Sequence, residues 1–440
     1  MNKHTVVVKT SIKDVDIKSN TTNHLINFIS ENHKNYYENS LWLNRDIHHL
    51  NYHPIAVDLY RLAASVFIID KTISRNTAYD GWTRDILLYL PVKNLELWEK
   101  NTDKVVSLLN FMTGDHWQIV FKKDYSEIPP VNTKLYKRGC TLEAKKVCLF
   151  SGGLDSFIGA IDSIIEYQSI ALISHYDQPH TCSLQKKLFD EIKQHYPSYN
   201  LNLIQFLLRT PDTKENTTRS RSMIFFTLGV LIASSLGIEE LIIPENGFIS
   251  LNVPLTTLRL GSLTTKTTHP NTLYIFNNLL TSLGIKVKLV NPYQFKTKGE
   301  MLKESKDFPF VSKYGKETMS CAHPTVGRWL GKKPNSSCGY CYPCLIRRSA
   351  FFKISEDDAS YYENNVLDKN FLKQDSKKNE DIRAVLYAIE KHNSIPNFIN
   401  VTRSGHIPNK NDLDNLCRVY GNGIEELSNF LSIYIDKANI

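Results

Sequence analysis

The chain has 440 residues, 42% hydrophobic and 22% charged, with a net charge of +8 and a sequence pI near 8.8. That composition excludes a disordered or collagen-like polymer, supplies apolar mass for a core without covalent staples, and points to two or three domains. The excess of positive charge is mild and favours anionic ligands such as nucleotides; with no dense Lys/Arg block, nucleic acid is not indicated as a partner.

The first residues lack the layout of a secretory signal, and the longest apolar stretch, 223–238, is too short for a bilayer span and reads as a buried helix. The expectation is a cytoplasmic protein with no membrane partner. Under reducing conditions the eight cysteines form no disulfide framework. Cys140, Cys148, Cys182 and Cys417 are scattered and read as small buried hydrophobes.

In chain order, residues 1–143 mix strand patterns at 5–9, 84–90 and 117–121 with helical ones at 56–69 and 95–109. They predict an α+β N-terminal domain, with a polar loop at 18–23 and Trp82, Trp98 and Trp117 as core aromatics. From 144 to 356 strands alternate with helices: strands at 147–150, 169–174, 200–207, 240–244 and 286–290, helices at 156–167, 182–195, 222–236 and 272–283. This alternation predicts an α/β domain built on a doubly wound parallel sheet with helices on both faces. Residues 357–440 are polar and helical, clearest at 381–391 and 413–435, and form a helical C-terminal extension.

Between the strand at 147–150 and its helix stands Phe150-Ser151-Gly152-Gly153-Leu154-Asp155-Ser156. Paired glycines let the backbone turn tightly against a ligand, and the amides at a helix start attract phosphate. Ser151 and Ser156 add hydroxyls, while Asp155 either orients the loop or holds Mg²⁺. A bare Gly-Gly would be no more than a strand–helix turn with a serine cap. The whole string lacks the Gly-Lys-Ser/Thr ending of a Walker loop and is not a dinucleotide fingerprint. It resembles the Ser-Gly-Gly-x-Asp-Ser signature of the PP-loop (N-type) ATP pyrophosphatases, which have a HUP-like α/β fold. The resemblance implies ATP bound at Phe150 to Ser156 with Mg²⁺, cleaved between its α and β phosphates to leave an adenylate and pyrophosphate.

Farther on, Cys338-Gly-Tyr-Cys341-Tyr-Pro-Cys344 gives two Cys-x-x-Cys steps, with Cys321 upstream. Four thiolates suit a closed, tetrahedral, structural Zn²⁺ site. An iron–sulfur cluster is the competing occupant, and His323 is an alternative to Cys321 as fourth ligand. The two motifs, with Arg347, Arg348 and Phe351 after the last cysteine, resemble the QueC family of 7-cyano-7-deazaguanine synthases. Local matches are Tyr176-Asp177-Gln178-Pro179-His180, Arg221-Ser222-Met223-Ile224-Phe225, Glu245-Asn246-Gly247 and Thr297-Lys298-Gly299-Glu300-Met301. The resemblance covers about 145–355. It departs in the sixteen residues between Cys321 and Cys338, and at 251–271, where the family's Tyr-Pro-Asp-Cys-Arg segment is absent. The flanks look like the longer QueC-like proteins of bacterial antiphage operons, the QatC group.

These resemblances imply a C–N bond-forming ligase that adenylylates a carboxylate of a 7-deazaguanine and passes it to an amine, with other proteins of a defence operon as partners. Arg221 and Lys298 would neutralise the leaving pyrophosphate, though each also fits a structural cation. Tyr176, Gln178 and His180 would border the nucleotide or the deazaguanine, with His180 as a base or simply a histidine leading a helix. The alternatives are a housekeeping 7-cyano-7-deazaguanine synthase, another PP-loop tRNA-modifying enzyme, and a non-catalytic nucleotide-sensing subunit.

Overall fold

A computed structural model describes residues 3–14, 22–28, 38–39, 47, 50–127, 142–210, 213–217, 219–256, 266–323, 336–368, 370–373 and 377–434. The run of Thr and Val in β1 (Lys3–Lys9) is buried on both faces, as parallel strands demand. It is followed by β2 (Thr22–Asn27), β3 (Glu38–Asn39), α1 (Pro54–Thr72), β4 (Asp85–Val92), α2 (Leu95–Lys100), α3 (Thr102–Thr113) and β5 (His116–Lys123). Strands β2, β1, β4 and β5 lie side by side in that order, and every pairing is parallel.

This corrects the expected α+β domain. Parallel neighbours need crossover connections, which α1 and the α2–α3 pair supply, so the N-terminal sheet is α/β in character. Two local expectations also change. The helix foreseen over 95–109 breaks at Asn101, whose Nδ2 donates to Leu97 O at 2.9 Å and competes with the helix ladder. Within the foreseen loop at 18–23, Thr22 and Asn23 belong to β2, while 18–21 lie outside the described residues.

The second sheet begins with β6 (Lys146–Leu149), α4 (Leu154–Tyr167), β7 (Ser169–Tyr176), α5 (Pro179–His195), β8 (Asn200–Arg209) and α6 (Arg221–Ser235). It continues with β9 (Glu240–Ile242), α7 (Gly247–Leu251), α8 (Pro270–Ser282) and β10 (Lys288–Val290). The strand order is β10-β9-β6-β7-β8-β3, parallel throughout except for the two-residue edge strand β3, which runs antiparallel to β8. After it come α9 (Lys298–Lys303), α10 (Phe308–Gly315), α11 (Tyr342–Lys353), α12 (Glu380–His392), α13 (Asn397–Ser404) and α14 (Leu413–Phe430).

Alternation of side chains along β6 and β7 divides the core. Val147, Leu149, Ala171 and Ile173 join a cluster with α1, α6, α8 and the N-terminal sheet, whereas Cys148, Phe150, Ile170 and Leu172 pack with α4 and α5. Helix α6 is apolar all round and buried from Met223 to Ala233, sharing its cluster with α1 and the sheet, which is why its sequence shows no polar stripe. The C-terminal helices α12 and α14 form a third cluster with α7 and α11. Among the described residues, no helix is long and apolar enough to cross a membrane.

What this positions is a reversal of strand order beside β6. The chain steps outward from β6 to β7 and β8, then returns to the other side of β6 as β9. Where successive strands leave in opposite directions, their carboxyl ends open a gap that open parallel sheets use for ligands.

Candidate functional site

The glycine loop stands at the carboxyl end of β6, on that gap. Gly152 takes a φ of +85°, in the left-handed region that penalises a Cβ, and Gly153 caps α4 in extended backbone. The loop is braced from within: Ser151 N–H donates to Ser156 Oγ at 3.1 Å, the two hydroxyls are 3.0 Å apart, and Ser156 Oγ donates to Gly153 O at 2.9 Å. The amides of Gly152, Asp155 and Ser156 hydrogen-bond to no described residue, so the head of α4 keeps donors for an anion. Ser151 is exposed, while Phe150, Leu154, Asp155 and Ser156 are buried.

Asp155 turns inward. Its Oδ1 is 2.5 Å from Lys298 Nζ, and its Oδ2 accepts from Asn246 N at 3.1 Å and Asn246 Nδ2 at 2.6 Å. Burial alone would raise this carboxyl, but Lys298 and the donors from Glu245 and Asn246 hold it below the ordinary carboxylate range. Glu245 goes the opposite way: burial and then the Asp155 charge push it well above its usual value. The carboxylate therefore laces the β6 loop to the β9 loop. Lys298 reaches it from the first turn of α9, which a reciprocal capping box between Thr297 and Glu300 sets in place. Lys298, expected at the pyrophosphate, is ion-paired with Asp155.

Arg221 opens α6 at the same edge of the sheet. Its guanidinium lies over the Phe225 ring at 5.6 Å, and its Nε hydrogen-bonds to no described residue. Burial lowers its pKa and Asp177 opposes that shift. Phe225 and Phe67 flank the buried His175 edge-on at 5.7 and 5.6 Å, and His175 Nε2 bonds Leu208 O at 3.0 Å. Burial, reinforced by Arg221, pushes His175 down to about 3, so the ring is neutral. No hydrogen bond or ion pair joins Arg221 to the glycine loop among the described residues.

Tyr176, Gln178 and His180 follow β7: Tyr176 ends the strand half-buried, Gln178 is the exposed N-cap of α5, and His180 is half-buried in its first turn. Another side chain, besides Ser174 of β7 whose Oγ donates to Phe150 O, ties β7 to the loop. Buried Gln185 donates through Nε2 to Ser151 O and His175 O, each at 3.2 Å. Sequence reasoning missed it, although an amide beside Leu184 and Leu188 on the apolar face of α5 was the signal available. It also missed the roles of Glu245 and Asn246, which carried only a local match.

The four predicted sulfurs do converge. Cys321, Cys338, Cys341 and Cys344 offer ligand atoms all within 4.8 Å of one another, with Sγ···Sγ distances of 4.0 Å (Cys321 to Cys341) and 3.9 Å (Cys338 to Cys344). Those separations exclude disulfides and fit a tetrahedral four-sulfur metal, whose edges are about 3.8 Å for metal–sulfur bonds of about 2.3 Å. Backbone amides of Ala322, Cys338 and Cys341 donate to neighbouring sulfurs at 3.3–3.4 Å, as Cys-x-x-Cys turns arrange. The cluster can hold a metal ion such as zinc. His323 is exposed and outside the cluster.

No protein-family model matches the chain, and no curated protein matches it. Among solved structures, a ketoreductase domain from the bacillaene assembly line aligns over 66% of this chain and 80% of its own, with 9% identity and a TM-score of 0.21. A likeness that low bears on neither fold nor chemistry.

Proposed function

We propose that the chain is an ATP-dependent adenylylating enzyme of the PP-loop type, QueC-like, acting on a carboxylate of the 7-deazaguanine class. The observation that carries the proposal is the glycine loop itself: a left-handed Gly152, free amides at the head of α4 and paired serine hydroxyls, set at the point where the strand order reverses. That order, with helix clusters on both faces, supports a doubly wound PP-loop sheet.

In this reading the phosphates of ATP, accompanied by Mg²⁺, lie on residues 150–156. A substrate carboxylate oxygen attacks the α-phosphorus, the bond to the bridging oxygen of the β-phosphate breaks, and pyrophosphate leaves. An amine then opens the acyl-adenylate and AMP departs. Asp155 holds the loop in shape through Asn246 and Lys298, and Arg221 supplies positive charge at the neighbouring edge. Tyr176, Gln178 and His180 flank the substrate. Zinc at the four cysteines contributes fold stability. The setting proposed is cytoplasmic, within an antiphage operon whose other products supply or receive the modified group.

ATP–pyrophosphate exchange tests the proposal. Exchange dependent on 7-carboxy-7-deazaguanine and lost in Asp155→Ala is the expected result. Exchange with a different carboxylate would keep the enzyme class and discard the deazaguanine; ATP binding without exchange would favour a nucleotide-sensing subunit.

A further inference from the structure

The residues just ahead of Cys321 lie on the glycine loop. Met319 N donates to Gly152 O at 3.0 Å, and Ser320 Oγ accepts from Leu154 N at 3.2 Å. The approach is close enough that a Cβ on Gly153 would stand 3.4 Å from Met319 O and 3.5 Å from Ser320 Oγ. The near end of this strap is held by Arg347, which is 1% exposed. Its Nη1 donates to Thr318 Oγ1 at 2.7 Å, and its Nη2 to Gly315 O at 3.0 Å and Lys316 O at 2.9 Å. Arg347 stands on α11, the same helix that carries Cys344 and is capped by Cys341. The far end is Cys321, which meets those sulfurs. Both ends of the strap are therefore fastened to α11, one through a guanidinium and one through the four-sulfur centre, and its middle rests on the nucleotide loop.

We propose that the four-cysteine centre, beyond stabilising the fold, positions the phosphate cradle: metal bound at Cys321 pins the Ser320 hydroxyl to the Leu154 amide, and metal and nucleotide binding are thereby coupled. The proposal rests on the reading that a nucleotide occupies the loop. Ser320 is a positioning residue. By accepting from Leu154 N–H it fixes the first turn of α4, and its own O–H stays available to donate toward an anion. Of the four ligands, Cys321 is the one distant in sequence, so its hold on α11 depends most on a bond through the metal, with amide-to-sulfur contacts as the remainder. Coupling between sites is reciprocal: whatever factor the metal adds to nucleotide affinity, the nucleotide adds to metal affinity.

The experiment titrates α,β-methylene-ATP with magnesium into metal-loaded wild type, chelator-stripped wild type, and metal-loaded Ser320→Ala, with metal content measured in each. Amide hydrogen exchange at Leu154 is followed in parallel without nucleotide. Stripping should weaken nucleotide binding by about tenfold to a hundredfold, within the range of ordinary coupling energies, and deprotect the Leu154 amide. Ser320→Ala should retain its metal yet lose affinity several-fold, and saturating nucleotide should slow metal loss to the chelator in wild type but less so in the variant. Equal nucleotide affinity with and without metal overturns the coupling. So does tighter binding in Ser320→Ala, which would make Ser320 a competitor of the phosphate. If metal-loaded wild type binds no nucleotide, the loop reading itself falls, and unchanged Leu154 protection on stripping would dispose of the strap independently.

Discussion

Replacing Lys298 by Met removes the cation from a pair whose side chains are 5% and 7% exposed. Asp155 would then be a buried carboxylate held by Asn246. Breaking a buried pair from one side costs about 3–5 kcal/mol. A second bound comes from the escape open to Asp155, which is to take a proton. Starting from its ordinary value of 3.8, that costs about 1.4 kcal/mol for each pH unit above it, or roughly 4 kcal/mol at pH 7 and under about 2 at pH 5. Both estimates agree at neutral pH and predict a loss that shrinks on acidification. Urea unfolding followed by far-UV circular dichroism measures it directly. In the Lys298→Met background, Asp155→Asn should recover most of the loss, because a neutral amide no longer needs the ammonium. A loss below about 1 kcal/mol at pH 7, or one unchanged at pH 5, would refute the claim that this pair fastens the loop.

Three further outcomes follow from the same geometry. Glu245 is raised in the fold, so the stability its neutral form provides is complete below its unfolded value of 4.5 and is lost as pH climbs toward the folded value. Glu245→Gln, fixed in the neutral form, should match wild type near pH 4 and gain on it by about 1.4 kcal/mol per pH unit above 4.5 until the folded value is reached, in unfolding titrations across pH. His175 and His269 are both pushed down to about 3, first by burial, so their contribution is complete above 6.5 and is lost as pH falls toward that value. Each adds a slope of about 1.4 kcal/mol per pH unit, and His175→Phe should flatten the stability curve between pH 6 and 5 by one such increment. Cobalt(II) should bind once per chain with the thiolate charge-transfer absorption of a tetrahedral sulfur site; Cys338→Ser should abolish that band, and a band that survives would remove Cys338 from the ligand set.

Much of the second sheet was legible because its information is local. The apolar run 147–150, the glycine pair and the amphipathic helix behind them stand within twenty-one residues, and the three later cysteines within seven. The N-terminal sheet was misjudged because a polar stretch hid the start of β2, the strand that pairs in parallel with β1. Within the site, the illegible parts are long-range or chemically mute. Lys298 meets Asp155 across 143 positions, and nothing in a lysine announces a buried partner. Ser320 is an ordinary residue beside a conspicuous cysteine, and only its contact with Leu154 N gives it meaning. Asn101 broke a helix that its neighbours would have continued, by a side-chain bond that no periodicity encodes.

The shared cluster between α1 and α6 has a practical bearing on how the molecule is dissected. A fragment beginning near residue 143, the natural cut if the two sheets were separate modules, would uncover the apolar flank of α6 and leave the backbone of β8 open along the edge that β3 caps. Such a surface invites self-association, so a fragment trimmed there would be expected to aggregate more readily than the whole chain. The first hundred or so residues are better regarded as about half of the apolar cluster they share with α6 than as an appendage.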